Sequence, residues 1–266
     1  MYKVGILICS CDYYKECWEP IIYSFDKYWP DCEYKKYIVS NFADATLPNT
    51  QIVKVGEHKG WAADTLNAVG QIDCDYLIYF QEDYFLNKPV DNDAIKAHIE
   101  HCAREKVDYL KIEPDAPVRD KFRIGGSDYC INPPDQRYAI NTAIAIWSKS
   151  LFSKICIPGQ TGWDFERRIN PYIRKNYPEL KSEMLHSSVI VSKGITTITS
   201  NAIVRGKWTK SGVEFLKENG FDYLIGSRPQ MGKFYTWLDS ITPHHNKYLR
   251  IPFWAVLKLL NYLHLN

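Results

Sequence analysis

Asp75-Tyr76-Leu77-Ile78-Tyr79-Phe80-Gln81-Glu82-Asp83-Tyr84-Phe85-Leu86 is an apolar run that stops at two adjacent acids and then resumes. A run of that length, rich in β-branched and aromatic residues, reads as a buried strand beginning at Tyr76. Acids at the end of such a strand stand at the rim of a sheet, which in open α/β sheets is where ligands bind. Burying either acid unpaired is costly, so Glu82 and Asp83 are expected to meet a cation, a donor or water. An ordinary turn with solvated acids is the alternative.

Toward the N-terminus, Tyr2 to Cys9 reads as a first buried strand, followed by the polar loop Cys9-Ser10-Cys11-Asp12-Tyr13-Tyr14. From Cys17 to Tyr28 the apolar residues Trp18, Ile21, Ile22 and Phe25 have helical spacing, and Pro30 follows. Lys36 to Ser40 and Gln51 to Val55 read as further strands, and Gly60 to Val69 as a helix. Beyond Leu86, Asp91 or Asn92 is placed to cap a helix from Ala94 to Glu105. Tyr109 to Ile112 is a short strand. Residues 113–137 carry Pro114, Pro117, Gly125, Gly126, Pro133 and Pro134, an irregular stretch of the kind that often carries function. Ile140 to Trp147 is apolar again, Phe165 to Tyr172 looks helical, and Val189 to Val191 and Thr196 to Ile203 read as late strands. The alternation predicts an α/β fold, Rossmann-like, with a mostly parallel central sheet flanked by helices. It is expected to occupy residues 1–240, with a helical tail over 241–266.

The 266 residues suffice for one large domain or two small ones, and 45% hydrophobic with 24% charged residues suits a folded soluble protein. A formal net charge of +2 advertises no nucleic-acid partner, and none is expected. Aromatic residues make up 14%, which suits stacking on bases and sugars, although a compositional bias produces the same excess. None of the 8 Cys forms a CxxC pair, so zinc-ribbon spacing is absent. Met1 leads straight into the first strand, so no signal peptide is expected, and reduced cysteines in a cytoplasmic setting are. Ile251 to Leu265 is almost wholly apolar but too short to span a bilayer. With Lys247, Arg250, Trp254 and Tyr262 it suits a peripheral membrane contact through 247–265; a helix docked on the protein's own surface is the other reading.

Three stretches converge on the carboxyl edge of the expected sheet: Ser10 to Tyr14, His58 to Ala68, and Gln81-Glu82-Asp83. A nucleoside diphosphate bound there needs a platform for base and ribose, close backbone approach, and charge compensation for the phosphates. Asp12 and Asn41 are candidates to hydrogen-bond base or ribose, and Gly60 allows close approach. Ser10, Asp64 and Asn67 lie in or beside the same stretches and join them as candidate donor-binding residues. Glu82 or Asp83 offers oxygen ligands to a divalent cation.

In these features the sequence resembles the glycosyltransferases of the GT-A fold, which use nucleotide-diphosphate sugars. The resemblance rests on the opening strand and polar loop, and on Gly60, Ala63 and Leu66-Asn67-Ala68-Val69-Gly70. It also rests on Gln81-Glu82-Asp83 in the place of that family's Asp-x-Asp motif, and on Thr161-Gly162-Trp163-Asp164-Phe165-Glu166. Together these span residues 2 to 210. The resemblance implies sugar transfer to a hydroxyl of a glycan or lipid-linked glycan, with inversion, in bacterial surface polysaccharide synthesis. It implies Asp164 as the base, with Glu166 as substitute, Trp163 stacking on the acceptor, and Tyr138 and Asn141 framing its pocket. Asp164 also suits a helix N-cap, Trp163 a core position, and His186 a satisfied structural histidine.

Gln81 departs from the family's pattern, being neutral where the motif has its first Asp. That leaves Asp83 as the expected metal ligand for Mn or Mg, with Glu82 beside it. Some relatives use basic side chains instead of a metal, and Arg205, Lys207 and Lys210 suit that task, or form a solvated basic loop. Two rivals stay open. A sugar nucleotidyltransferase would want a Gly-rich basic loop after the first strand, and Cys9 to Lys15 holds no glycine. A non-catalytic nucleotide-sugar-binding protein of the same fold is kept open by Gln81.

Overall fold

A computed structural model describes residues 2–112, 123–125, 127–132, 139–185 and 201–232. Tyr138, His186, the strand expected at Val189 to Val191, residues 196–200 and the tail over 241–266 lie outside them. The chain divides into two compact units, Met1–Ile198 and Thr199–Asn266.

The first unit is built on eight strands: β1 (Val4–Cys9), β2 (Lys35–Ser40), β3 (Thr50–Lys54), β4 (Tyr76–Gln81), β5 (Tyr109–Lys111), β6 (Tyr129–Ile131), β7 (Ala145–Ser148) and β8 (Ser182–Leu185). They form one sheet in the order β3-β2-β1-β4-β7-β5-β8-β6. The half containing β3, β2, β1 and β4 is parallel throughout. Beyond β4, β7 runs antiparallel to both β4 and β5, β5 pairs parallel with β8, and β6 closes the edge antiparallel. The Rossmann-like α/β architecture expected from the sequence is the one observed, with antiparallel strands confined to the later half.

Side chains alternate across each strand, so a strand covered on both faces is apolar at every position. In β4, Leu77 and Tyr79 enter a core shared with Ala68 and Val69 of α2 (Trp61–Gln71), Leu151 and Phe152 of α4 (Lys149–Ile155), and Phe165 and Ile169 of α5 (Gly162–Asn176). On the opposite face the Phe80 ring meets Phe25 of α1 (Trp18–Tyr28) at 5.0 Å. On that side the Trp29 indole donates to Asn92 Oδ1 at 2.9 Å, tying α1 to α3 (Asn92–Glu105). The helix-capping residue before α3 is Asp91, whose side chain accepts from the Ala94 N–H at 2.9 Å.

Within the apolar stretch from Ile140 to Trp147, strand begins only at Ala145. The preceding backbone donors are claimed by side chains. Ile140 N–H donates to Asn170 Oδ1, Thr142 N–H to Glu166 Oε1, and Ala143 N–H to Asn141 Oδ1. Those bonds make residues 140–143 a loop clamped by α5.

In the second unit, β9 (Ile203–Val204) and β10 (Lys207–Trp208) form an antiparallel hairpin. Arg205 and Gly206 turn it with φ of 52° and 74°, the positive values that two-residue hairpin turns need. Thr209 then caps α6 (Lys210–Glu218) by accepting from the Gly212 N–H. Lys210 pairs with Glu214 at 3.6 Å within that helix.

Candidate active site

Cys9 of β1 is paired in register with Gln81 of β4, so the two strands end side by side. A turn follows β4, closed by the Tyr84 N–H on the Gln81 carbonyl at 3.1 Å, with Glu82 and Asp83 as its central residues. Asp83 is buried at 6% exposure, and Glu82 is half-buried. The chain then re-enters the core at Phe85 and Leu86, whose N–H donates to Ser24 Oγ. The Glu82 charge acts on two thiols at the end of β1 and just after it. Burial pushes the Cys9 thiol up to about 12, and the Glu82 charge adds to it, whereas the Thr65 hydroxyl opposes it. Burial also raises the Cys11 thiol, again with Glu82 contributing.

The loops after β1 and β2 are held together by Asp12. Its Oδ1 accepts the Ser40 hydroxyl at 2.7 Å and the Asn41 N–H at 2.8 Å; its Oδ2 accepts the N–H groups of Phe42 and Ala43 at 2.9 and 3.1 Å. Burial alone would raise this carboxyl, but the four donors outweigh it and hold Asp12 below its ordinary value. A carboxylate has about four lone-pair positions, so these bonds give Asp12 a structural task at the sheet edge. Asn41 is likewise engaged: its amide donates to the Gly56 carbonyl at 2.9 Å, and its backbone carbonyl accepts the Gly56 N–H. Ser10 Oγ accepts the Trp18 indole N–H at 2.8 Å.

Gly60 precedes α2 at φ 95°, ψ 159°, a backbone region that essentially only glycine adopts. Asp64, buried in the first turn, ties down the segment before it. One oxygen accepts the Lys59 N–H at 3.0 Å, and the other meets His58 Nδ1 at 2.6 Å. Asn67 is exposed and bonds to the Val55 carbonyl and to Gln71. Asp64 and Asn67 thus shape the loop and helix around Gly60.

The start of α5 meets the start of α2: the Ala62 N–H donates to the Gln160 carbonyl, and the Trp61 and Phe165 rings lie 5.1 Å apart. The helix begins earlier than its apolar spacing indicates because Thr161 caps it, accepting the Asp164 N–H at 3.1 Å. Asp164 is therefore not the N-cap but the third helical residue. Its Oδ2 accepts the Thr161 hydroxyl at 2.8 Å, and Arg167 stands 3.7 Å from Oδ1. The Thr161 hydroxyl lowers the Asp164 carboxyl most; burial opposes it, and the Thr161 backbone and the Arg168 and Arg167 charges add to the lowering. Trp163 is not a core residue but stands out at 71% exposure.

Glu166, one turn further into α5, is joined to β4. Its Oε1 accepts both the Thr142 N–H at 3.0 Å and the Thr142 hydroxyl at 2.6 Å. Thr142 Oγ1 in turn accepts from the Gln81 amide at 2.9 Å. Sequence reasoning missed Thr142, because its two partners lie 61 residues before it and 24 after it. Asn141 is buried, with Oδ1 accepting the Tyr109 hydroxyl at 3.3 Å, and it shapes the loop from inside. Lys111, at the end of β5, is also buried, and its position within an apolar strand was the one sequence signal of it.

Among the described residues no group of three or more His, Cys, Asp or Glu side chains is arranged to hold a metal ion. Arg205 and Lys207 belong to the second unit, and the site described here is built from the first alone.

No known protein family matches the chain, and no curated protein does. Similar solved structures include S. aureus TarS 1–349, at 11% identity and TM-score 0.49, covering 88% of this chain and 68% of that one. A cytidylyltransferase from Leptospira borgpetersenii is similar at 14% identity and TM-score 0.42, covering 68% of this chain and 75% of that one. Mannosyl-3-phosphoglycerate synthase from Rubrobacter xylanophilus is similar at 13% identity and TM-score 0.42, covering 69% and 65%.

Proposed function

We propose that the chain is a nucleotide-sugar-dependent glycosyltransferase, moving a sugar from a nucleoside diphosphate to a hydroxyl of a glycan or lipid-linked glycan with inversion. The observation that carries this reading is the junction at one sheet edge of the Glu82–Asp83 turn with Glu166, through Gln81 and Thr142. The diphosphate is taken to lie against Asp83 and the Gly60 segment, where glycine permits close backbone approach. A cation bound by Asp83 and the phosphates would neutralise charge on the leaving group. The acceptor oxygen attacks the anomeric carbon, the bond to the diphosphate breaks with its electron pair, and a carboxylate takes the acceptor proton. Glu166 is favoured over Asp164 for that task, because Asp164 is held low and spent on the helix start. Trp163, exposed beside it, suits stacking on an acceptor sugar.

Incubation with UDP-, GDP-, CDP- and TDP-linked sugars, with and without manganese, tests the reading through release of the nucleotide. Turnover of one donor class supports it. Binding of a nucleotide sugar without release under every condition contradicts it in favour of a non-catalytic binding protein.

A further inference from the structure

The chain from Gln81 through Thr142 to Glu166 has a fixed direction. An ionised carboxylate only accepts, so the single Thr142 hydroxyl proton goes to Glu166 Oε1, at 2.6 Å. Thr142 Oγ1 is then left with lone pairs and must receive a proton from residue 81. The Gln81 amide supplies it at 2.9 Å, and the Thr142 carbonyl lies 3.5 Å from the same nitrogen. An acid at position 81 would set a carboxylate against two oxygens with no proton to offer. The neutral residue in place of the first motif acid thus has a local reason: the position needs a donor.

Among the described residues, Glu166 is gripped on one oxygen. Oε1 takes two hydrogen bonds from Thr142, and among the described residues Oε2 takes none. The Glu166 residue is half-buried. The loop carrying Thr142 is itself locked by Asn170 on Ile140. Resting on the glycosyltransferase reading, we infer that Gln81 and Thr142 are positioning residues that hold Glu166 by Oε1 and leave Oε2 to take the acceptor proton. In the step they serve, the acceptor O–H bond breaks as its oxygen bonds to the anomeric carbon. The proton passes to Oε2, and the anomeric C–O pair leaves on the diphosphate. Hydrogen bonds in series polarise one another, so the amide at 81 acts on Glu166 through the hydroxyl between them.

The test uses the full chain with the donor that turns over in the panel above. Gln81→Glu keeps the size of the side chain and removes the donor. It is expected to lower kcat about 10²-fold, as a small misplacement of a reacting group does, with KM for the donor within about threefold. Thr142→Val is expected to do the same and to move the acid limb of the pH–rate profile, whereas Thr142→Ser restores most of the rate and the limb. If Thr142→Val does not fold, Gln81→Glu and Thr142→Ser carry the comparison, with thermal unfolding as the check on each. Wild-type rates and an unmoved profile in Gln81→Glu would overturn the positioning role while leaving the transferase reading intact. Absence of turnover in the wild type with every donor would overturn both.

Discussion

Asp12 Oδ1 accepts the Ser40 hydroxyl at 2.7 Å, which fastens the loop after β1 to the end of β2. The remaining bonds of that carboxylate reach the next three backbone N–H groups, so one side chain sets the shape of two loops at the sheet edge.

Asp12→Asn is therefore not a mild change. The new amide nitrogen faces donors on one side, and the protein is expected to lose about 2–3 kcal/mol of stability, the range for hydrogen bonds to a charged group. Urea unfolding of the two proteins measures it. The carboxyl is depressed in the fold, so its contribution is fully present above the ordinary value of 3.8 and fades as pH falls below it. The wild type should approach the Asn variant in stability in that acid range.

His98 controls a second pH window. Burial, then the charge of neighbouring His101, depresses it from 6.5 to about 4, against weaker opposing effects of Asp128 and Asp91. The unfolded chain takes up this proton near 6.5, and the folded chain only near 4. Stability is full above 6.5 and falls between 6.5 and 4, by about 3 kcal/mol. In His98→Gln this part of the loss should vanish, as read from unfolding midpoints across that range. Tyr129, whose hydroxyl is 3.0 Å from His98 Nδ1, keeps a hydrogen-bonding partner in that variant.

Gly60→Ala separates conformation from crowding. A Cβ at this position would meet nothing within 4 Å, yet φ is +95°. A loss of about 1–3 kcal/mol is expected from backbone strain alone, together with weaker nucleotide binding. Denaturant unfolding and calorimetric titration measure the two effects.

Trp163 and Thr161 are neighbours with opposite tasks. Trp163→Ala should leave stability within about 0.5 kcal/mol, because the ring is exposed, while raising KM for the acceptor. Thr161→Ala removes the cap of α5 and should cost about 1 kcal/mol. Thermal unfolding beside acceptor kinetics distinguishes them.

The features legible in the sequence are those whose cause is local. β1 and β4 follow from apolar runs with both faces covered, and α3 from Asp91 before a periodic stretch. The site's rim followed from the acids that end β4. What stayed hidden depends on partners far along the chain. The backbone of residues 140–143 is shaped by side chains far along the chain, since Asn170 takes the Ile140 donor and Glu166 the Thr142 donor. The antiparallel place of β7 beside β4 is a pairing choice without a local mark. Gln81 looked like a lost acid because Thr142, which accepts from its amide, is remote in sequence. The bonds that Ser40 and Thr161 donate to Asp12 and Asp164 form only once the loops are folded, so the sequence carried no mark of them.

Calorimetric titration of wild type and Asp83→Asn with UDP, GDP, CDP and TDP, each with manganese, tests the central claim most directly. One nucleoside diphosphate should bind the wild type, and its affinity should fall about 10²-fold or more in Asp83→Asn, the scale of removing one directed charge from such a site. Equal affinity in the two proteins, or no binding of any nucleotide to the wild type, would contradict the placement of a diphosphate at the end of β4.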